Sequence, residues 1–132
     1  MLKAFAVAAV TLVAGAGLAQ ADEALVKAGA NVFKKCQACH AVGEGAKNKV
    51  GPELNDLFGR TAGGLDDYNY SKPMKEAGAN GLVWNDETLH QYLADPKGFV
   101  KGNKMAFPGL KKQEDLDAVT AFLKSHDGDG DS

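Results

Sequence analysis

Two thiols and an imidazole stand within five residues of one another, in Cys36-Gln37-Ala38-Cys39-His40. A Cys-x-x-Cys-His run is the attachment signature of a c-type haem. The thiols add across the vinyl groups of the macrocycle and become thioethers. Their spacing lets one turn of backbone present both sulfurs to one edge of a planar ring. His40 follows at once, so its imidazole can reach the iron from the proximal side. These are the only two cysteines in 132 residues. No disulfide framework competes for them, and no second haem can be attached in the same way.

Three other readings of the run are weaker. A thioredoxin-like redox pair needs a βαβ context, and no Val/Ile-rich strand pattern flanks the motif. Half a zinc site needs two further Cys or His ligands at matching spacing, whereas His90 and His126 stand alone and far apart. A structural disulfide would close only a tiny loop.

On the far side of the iron, the sequence offers Met74, Met105, His90 and His126. A thioether is soft and raises the potential, whereas a second imidazole lowers it. Met105 sits in Gly102-Asn103-Lys104-Met105-Ala106-Phe107-Pro108-Gly109, a stretch between glycines from which a loop can turn a methionine inward. Met74 reads as gap-filling core. His126 lies at the end of the last helix, and His90 on a short helix where surface or capping roles are commoner.

These groups must be positioned by helices joined by long loops. Residues 22–35 carry Leu25, Val26, Val32 and Phe33 on one helical stripe, with Gly29 in the middle of that face. Glycine costs ~1 kcal/mol in a helix interior, so its presence predicts a close helix crossing. Residues 41–69 are rich in glycine and polar residues and read as loop, with a short turn at Leu54 to Phe58. Pro73 to Ala77 predicts one helical turn. Asn85 or Asp86 caps a helix carrying Leu89, Tyr92 and Leu93, stopped by Pro96; Pro96 to Val100 predicts another short turn. Residues 113–125 form the clearest amphipathic helix, with Leu116, Val119, Phe122 and Leu123 at helical spacing. No internal repeat or sheet is evident. More than a third of the chain after residue 21 reads as loop, unusual for a small domain. A covalently held haem would supply the missing core.

The N-terminus reads as a secretory signal over residues 1–21: Lys3, an apolar run from Ala4 to Leu18, and the cleavage site Ala19-Gln20-Ala21. The alternative is an uncleaved anchor, for which the run is a little short of the ~20 residues a span needs. Cleavage after Ala21 leaves residues 22–132, one domain over 22–126 and an acidic Gly/Asp tail over 127–132 expected to be disordered. Export fits haem attachment outside the cytosol, which predicts a periplasmic protein. Formal charge is 15 basic against 17 acidic residues, or −2. Losing the leader removes only Lys3 and leaves −3. That excludes bulk basic character and argues against nucleic acid. Lysines nonetheless cluster near the haem motif and between Lys97 and Lys112, which predicts a basic face on a weakly acidic body.

The chain resembles class I cytochrome c, and within it the bacterial cytochromes c2, over nearly all of residues 22–126. The matching pieces occur in order: Gly29 with Phe33, the Cys36 to His40 run, Gly51-Pro52-x-Leu54, Leu57-Phe58-Gly59-Arg60, Tyr70, Trp84, Leu89-x-x-Tyr92-Leu93, Asp95-Pro96-Lys97, Gly102-x-Lys104-Met105-x-Phe107, and Asp117-Ala118-Val119-x-x-Phe122-Leu123. The resemblance implies an all-α fold of crossing terminal helices, with short helices and long loops wrapped around one covalent haem c. It implies His40 and Met105 as axial ligands, a Pro52 carbonyl accepting from His40, and Tyr92 near the Met105 sulfur. It implies that Arg60, Tyr70 and Trp84 reach the haem propionates, that Phe107 covers the haem edge, and that Gly29 and Phe33 pack on Val119 and Phe122. Lys35, Lys49, Lys97, Lys104, Lys111 and Lys112 would ring that edge and dock partners. Extra residues between Tyr70 and Trp84, Pro73 to Ala79 among them, and the acidic tail depart from the short mitochondrial pattern and mark bacterial members.

The function so implied is electron transport, not enzymatic catalysis. A monomeric one-electron carrier would take electrons from a bc1-type complex and pass them to a photosynthetic reaction centre or terminal oxidase. Haem catalysis would need a ligand-free distal position, and a redox sensor would need an appended output domain.

Overall fold

The computed structural model describes residues 3–9 and 16–128, without the side chains of residues 16, 18 and 19. Part of the expected leader (residues 1, 2 and 10–15) and residues 129–132 of the expected tail lie outside the described residues.

Five helices occur among the described residues: α1 (Ala16–Phe33), α2 (Lys72–Ala79), α3 (Asp86–Ala94), α4 (Pro96–Phe99) and α5 (Gln113–Lys124). Among the described residues there are no strands, only an isolated antiparallel bridge between Thr61 and Val83. None of the described helices is long and apolar enough to cross a membrane.

The packing of α1 on α5 is the main contact between elements. A Cβ built on Gly29 would lie 1.9 Å from the Ala118 carbonyl oxygen and 2.6 Å from Phe122 Cβ. Only a bare α-carbon lets the two backbones approach so closely. The predicted crossing is therefore present, and its partners at Gly29 are Ala118 and Phe122. The rings of Phe33 and Phe122 meet at 5.1 Å between centroids. Val119 and Leu123 of α5 are buried in the same core as Val32 and Phe33.

Capping chemistry sets the shorter helices. The Ser71 hydroxyl accepts from the Met74 amide at 3.2 Å, and proline near the start fits the first turn of α2. The helix then runs two turns to Ala79, longer than the single turn expected. Asn85, not Asp86, caps α3: its side chain accepts from the Thr88 amide, and the Thr88 hydroxyl accepts in return from the Asn85 amide, each at 2.9 Å. This reciprocal arrangement satisfies two orphan donors. Asp95 caps α4 through the Gly98 amide at 3.1 Å.

Two differences lie at the chain ends. The first helix begins at Ala16 and crosses the expected cleavage point between Ala21 and Asp22 without a break. Asp127 and Gly128, assigned to the tail, sit in a turn: the Asp127 amide donates to the Lys124 carbonyl at 3.1 Å, and the Gly128 amide donates to the Asp56 carboxylate.

Gly29→Ala should lower stability by about 1–3 kcal/mol, the range for overpacking a tight contact. That cost outweighs the ~1 kcal/mol alanine gains over glycine inside a helix. A urea midpoint equal to or above that of the parent protein would mean the crossing opens without penalty.

Candidate haem site

The backbone of α1 runs on past Phe33 as a tight turn. The Cys36 amide donates to the Phe33 carbonyl at 2.8 Å, and the His40 amide to the Cys36 carbonyl at 2.9 Å. One turn beyond the helix crossing therefore presents Cys36, Cys39 and His40 together. All three line one cavity of about 250 Å³. Across the chain, Met105 lines the same cavity.

His40 is held in one orientation. Its Nδ1 donates to the Pro52 carbonyl at 2.7 Å. A carbonyl can only accept, so Nδ1 carries the proton and Nε2 keeps its lone pair. Gly51 makes room, since a Cβ there would fall 2.4 Å from His40 Cε1. Burial is the main cause that lowers the His40 pKa; the bond to Pro52 opposes it and the Lys49 charge adds to it. The ring is thus a neutral donor at ordinary pH. Burial also pushes the Cys36 thiol up to about 11, against a smaller lowering by Lys35. Conversion to a thioether would remove the group that titrates.

Each remaining residue expected at the haem (Pro52, Arg60, Tyr70, Trp84, Tyr92 and Phe107) lines this cavity. The bridge at Thr61 and Val83 places Arg60 beside Trp84, whose amide donates to the Arg60 carbonyl at 2.9 Å. Trp84 packs on Tyr92 with the rings tilted by 47° and their centroids 5.0 Å apart. The Tyr92 hydroxyl lies 3.9 Å from the Met105 sulfur. The Tyr70 hydroxyl accepts from the Leu65 amide at 3.3 Å. Met74 also lines the cavity and packs against the core as expected.

Of the six expected docking lysines, all exposed, Lys35 and Lys104 line the cavity, and Lys49, Lys97, Lys111 and Lys112 lie outside its lining. Three of these four are tied to nearby backbone. Lys49 donates to the carbonyl of Gln37, between the two cysteines, at 2.7 Å. Lys97 donates to the carbonyl of Asn103, and Lys111 to that of Ala94 at 2.8 Å.

Sequence reasoning missed Glu53 and Tyr68. Arg60 donates to the Glu53 carboxylate at 3.1 Å and to the Glu53 carbonyl at 2.9 Å, and also to the Asn55 carbonyl. The Tyr68 hydroxyl donates to the Val50 carbonyl at 2.5 Å, while Lys104 lies over its ring and donates to the Asn69 carbonyl. The only signal in the sequence was an acid seven residues before an arginine inside a polar loop, a spacing without meaning until the loop closes.

The donor set fits a haem. Two thiols on one turn, a neutral imidazole and a thioether share a mainly apolar cavity. Its charged lining is cationic (Lys35, Arg60 and Lys104) with no carboxylate among the described residues. That suits an apolar macrocycle with an anionic edge.

The fold and the site define a class I c-type haem protein with one covalent haem c. The comparisons agree, and the chain belongs to the cytochrome c family: the model described as Cytochrome c matches residues 26–127. The chain is similar to cytochrome c2 of Afifella marina, 62% identical over 106 residues that span 80% of this chain and 86% of that one. It is similar to cytochrome c-550 of Ancylobacter novellus, 58% identical over 102 residues, 77% of this chain and 95% of that one. The solved structure of cytochrome c2 from Rhodospirillum centenum superposes with a TM-score of 0.74 at 39% identity, covering 77% of this chain and 98% of that one. The protein is a haem c electron carrier and not an enzyme.

Burial pushes the Tyr92 hydroxyl up to about 12, against ~10 in an unfolded chain. As pH rises past 10 the unfolded state loses this proton first. Stability that is full below pH 10 is therefore lost between pH 10 and 12, by up to about 2–3 kcal/mol. Tyr92→Phe should flatten that part of the decline in guanidinium melts at pH 9 and 11.5. Equal declines in parent and variant would show that this hydroxyl does not titrate with unfolding.

Proposed function

We propose that this carrier works in the periplasm, with His40 and Met105 as axial ligands, passing single electrons from a bc1-type complex to a photosynthetic reaction centre or terminal oxidase. Bound haem supplies the one-electron iron couple. The observation that carries the reading is the meeting of an oriented neutral imidazole and a thioether at one apolar cavity. A soft sulfur ligand favours ferrous iron and a high potential, which suits a carrier filled by a quinol-oxidising complex. The Ala19-Gln20-Ala21 site and the apolar run before it support export and cleavage after Ala21, with residues 22–126 as the haem domain and 127–132 as its acidic tail. Recovery of a mature chain beginning at Asp22 from the periplasmic fraction would test that.

Docking by a basic face is supported by how the lysines are held. Among the described residues none of the six lysines forms an ion pair; the ion pairs involve Arg60, Lys72, His90 and Lys124. Ammonium groups bonded to carbonyls are ordered but not neutralised. They present fixed positive charge around the mouth of a chain whose mature charge would be −3. Such a field steers encounter over a Debye length of ~8 Å at physiological salt. Arg60, Tyr70 and Trp84 would bind the propionates, and Phe107 would shield the haem edge. The carrier would act as a monomer, making transient contacts with its partners.

Met105→Ala should abolish the weak sulfur–iron absorption of the ferric protein and lower its potential, while Met74→Ala should leave both nearly unchanged. The reverse pattern would transfer the ligand role to Met74.

For docking, Lys35→Glu should slow electron transfer to a membrane partner more than Lys27→Glu does. Lys35 lines the mouth, whereas Lys27 is exposed on α1 away from it. Lys104 is a less clean probe because its ammonium also ties Asn69. Both substitutions change net charge equally, so stopped-flow rates at low salt separate local from net charge. Equal slowing, or a rate that rises with salt, would leave the lysines as ordinary solvated surface.

A further inference from the structure

We propose that Asn103 is a positioning residue that fixes where the Met105 thioether sits, an inference that rests on the reading of Met105 as an iron ligand. Asn103 is buried, with 4% of its surface exposed. A buried amide is costly unless each polar atom finds a partner. Here each does. Nδ2 donates to the carbonyls of Pro96 and Val100, both at 2.8 Å. Oδ1 accepts from the Met105 amide at 2.8 Å. The backbone joins in: the Asn103 amide donates to the Val100 carbonyl at 3.1 Å, and its carbonyl accepts from Lys97. The opposite flip of the amide would set oxygen against two carbonyls and NH₂ against an N–H, so the partners fix the orientation.

The amide therefore joins two unlike pieces of chain. On one side is α4, capped by Asp95 and opened by the fully buried Pro96. On the other is the segment from Lys104 to Gly109, which among the described residues makes no backbone–backbone hydrogen bond. Nothing in the way of a helix or ladder holds the Met105 backbone. Its amide is held by one side chain, two residues back, in an Asx turn. Asn103 transmits the rigidity of α4 to the residue that carries the sulfur.

Removal of the side-chain amide would leave the Met105 N–H without its partner, while the Pro96 and Val100 carbonyls would each lose one of two donors and keep the amides of Val100 and Asn103. The thioether would then be easier to displace. Imidazole added to the ferric holoprotein should bind roughly tenfold more tightly to Asn103→Ala than to the parent protein, as expected for an unsatisfied buried group. The sulfur–iron absorption should weaken in step. Asn103→Ser keeps a hydroxyl that can accept from the Met105 amide and donate to one carbonyl, so it should fall between the two. Leu116→Ala serves as the control: it lowers global stability at a buried core position outside the lining of the cavity, and its imidazole affinity should match the parent's. Should Asn103→Ala fail to fold, an affinity increase of at least threefold in Asn103→Ser is the expected result.

Imidazole affinity in the Asn103 variants equal to that of the parent, or no greater than that of Leu116→Ala, would overturn the positioning role while Met105→Ala still abolished the absorption. An unchanged absorption in Met105→Ala would overturn the ligand reading and this inference together.

Discussion

The crossing of α1 on α5 is the constraint on which the site depends. The turn that carries Cys36, Cys39 and His40 starts at the Phe33 carbonyl, and Phe33 is clamped at the crossing by Phe122. A small shift of α1 along α5 would therefore move both sulfurs and the imidazole as one body. The bare α-carbon of Gly29 against Ala118 makes the crossing close enough to define that register. Glycine weakens a helix interior, and the helix is rescued by the apolar area buried when the two faces meet. Local propensity has been exchanged for a fixed tertiary contact.

Apart from Met74 on α2 and Leu89, Tyr92 and Leu93 on α3, much of the rest of the cavity wall is loop, and loops must find partners for their backbone groups one at a time. Side chains do this work in the absence of a sheet. Arg60 binds the carbonyls of Glu53 and Asn55, and Asn55 exchanges bonds with both the amide and the carbonyl of Gly43, each at 2.8 Å. Asn103 does the same for Pro96, Val100 and Met105. Each bridge spans between two and twelve residues, closing its loop on itself. The result is a ring of short ties around an apolar cavity, strongest where one buried amide or guanidinium serves several groups at once.

Much of this was legible in the sequence, for reasons that differ by element. The Cys36 to His40 run is local chemistry and needs no fold to be recognised. Gly29 stood out because it broke an apolar helical stripe, a local cost that only a tertiary contact explains. The last helix was clear from its periodicity and ends within a residue of the expected bounds. In the full chain the first helix runs back to Ala16, because Ala, Gln and Asp across the expected cleavage site offer nothing to interrupt it. The length of α2 depended on the Ser71 cap and on packing rather than on Pro73 alone. Glu53, Tyr68 and the hydrogen bonds of Asn103 were invisible. Their partners lie on segments brought together by loop closure, and polar residues in a glycine-rich stretch look alike until that happens.

The lysines show how net charge and local field part company. A net charge of −2 says little about a docking face, because the field at the cavity mouth depends on where charges sit and whether they are neutralised. Pairing with carboxylates would order these side chains and cancel their charge. Bonding to the carbonyls of Gln37, Asn103 and Ala94 orders them and leaves the charge intact. Each carbonyl belongs to a segment that meets the cavity or borders it. The backbone that shapes the cavity thus also fixes part of its external field. Acidic residues elsewhere then lower the net charge without weakening the field at the mouth much, since salt screens charges more than a Debye length away.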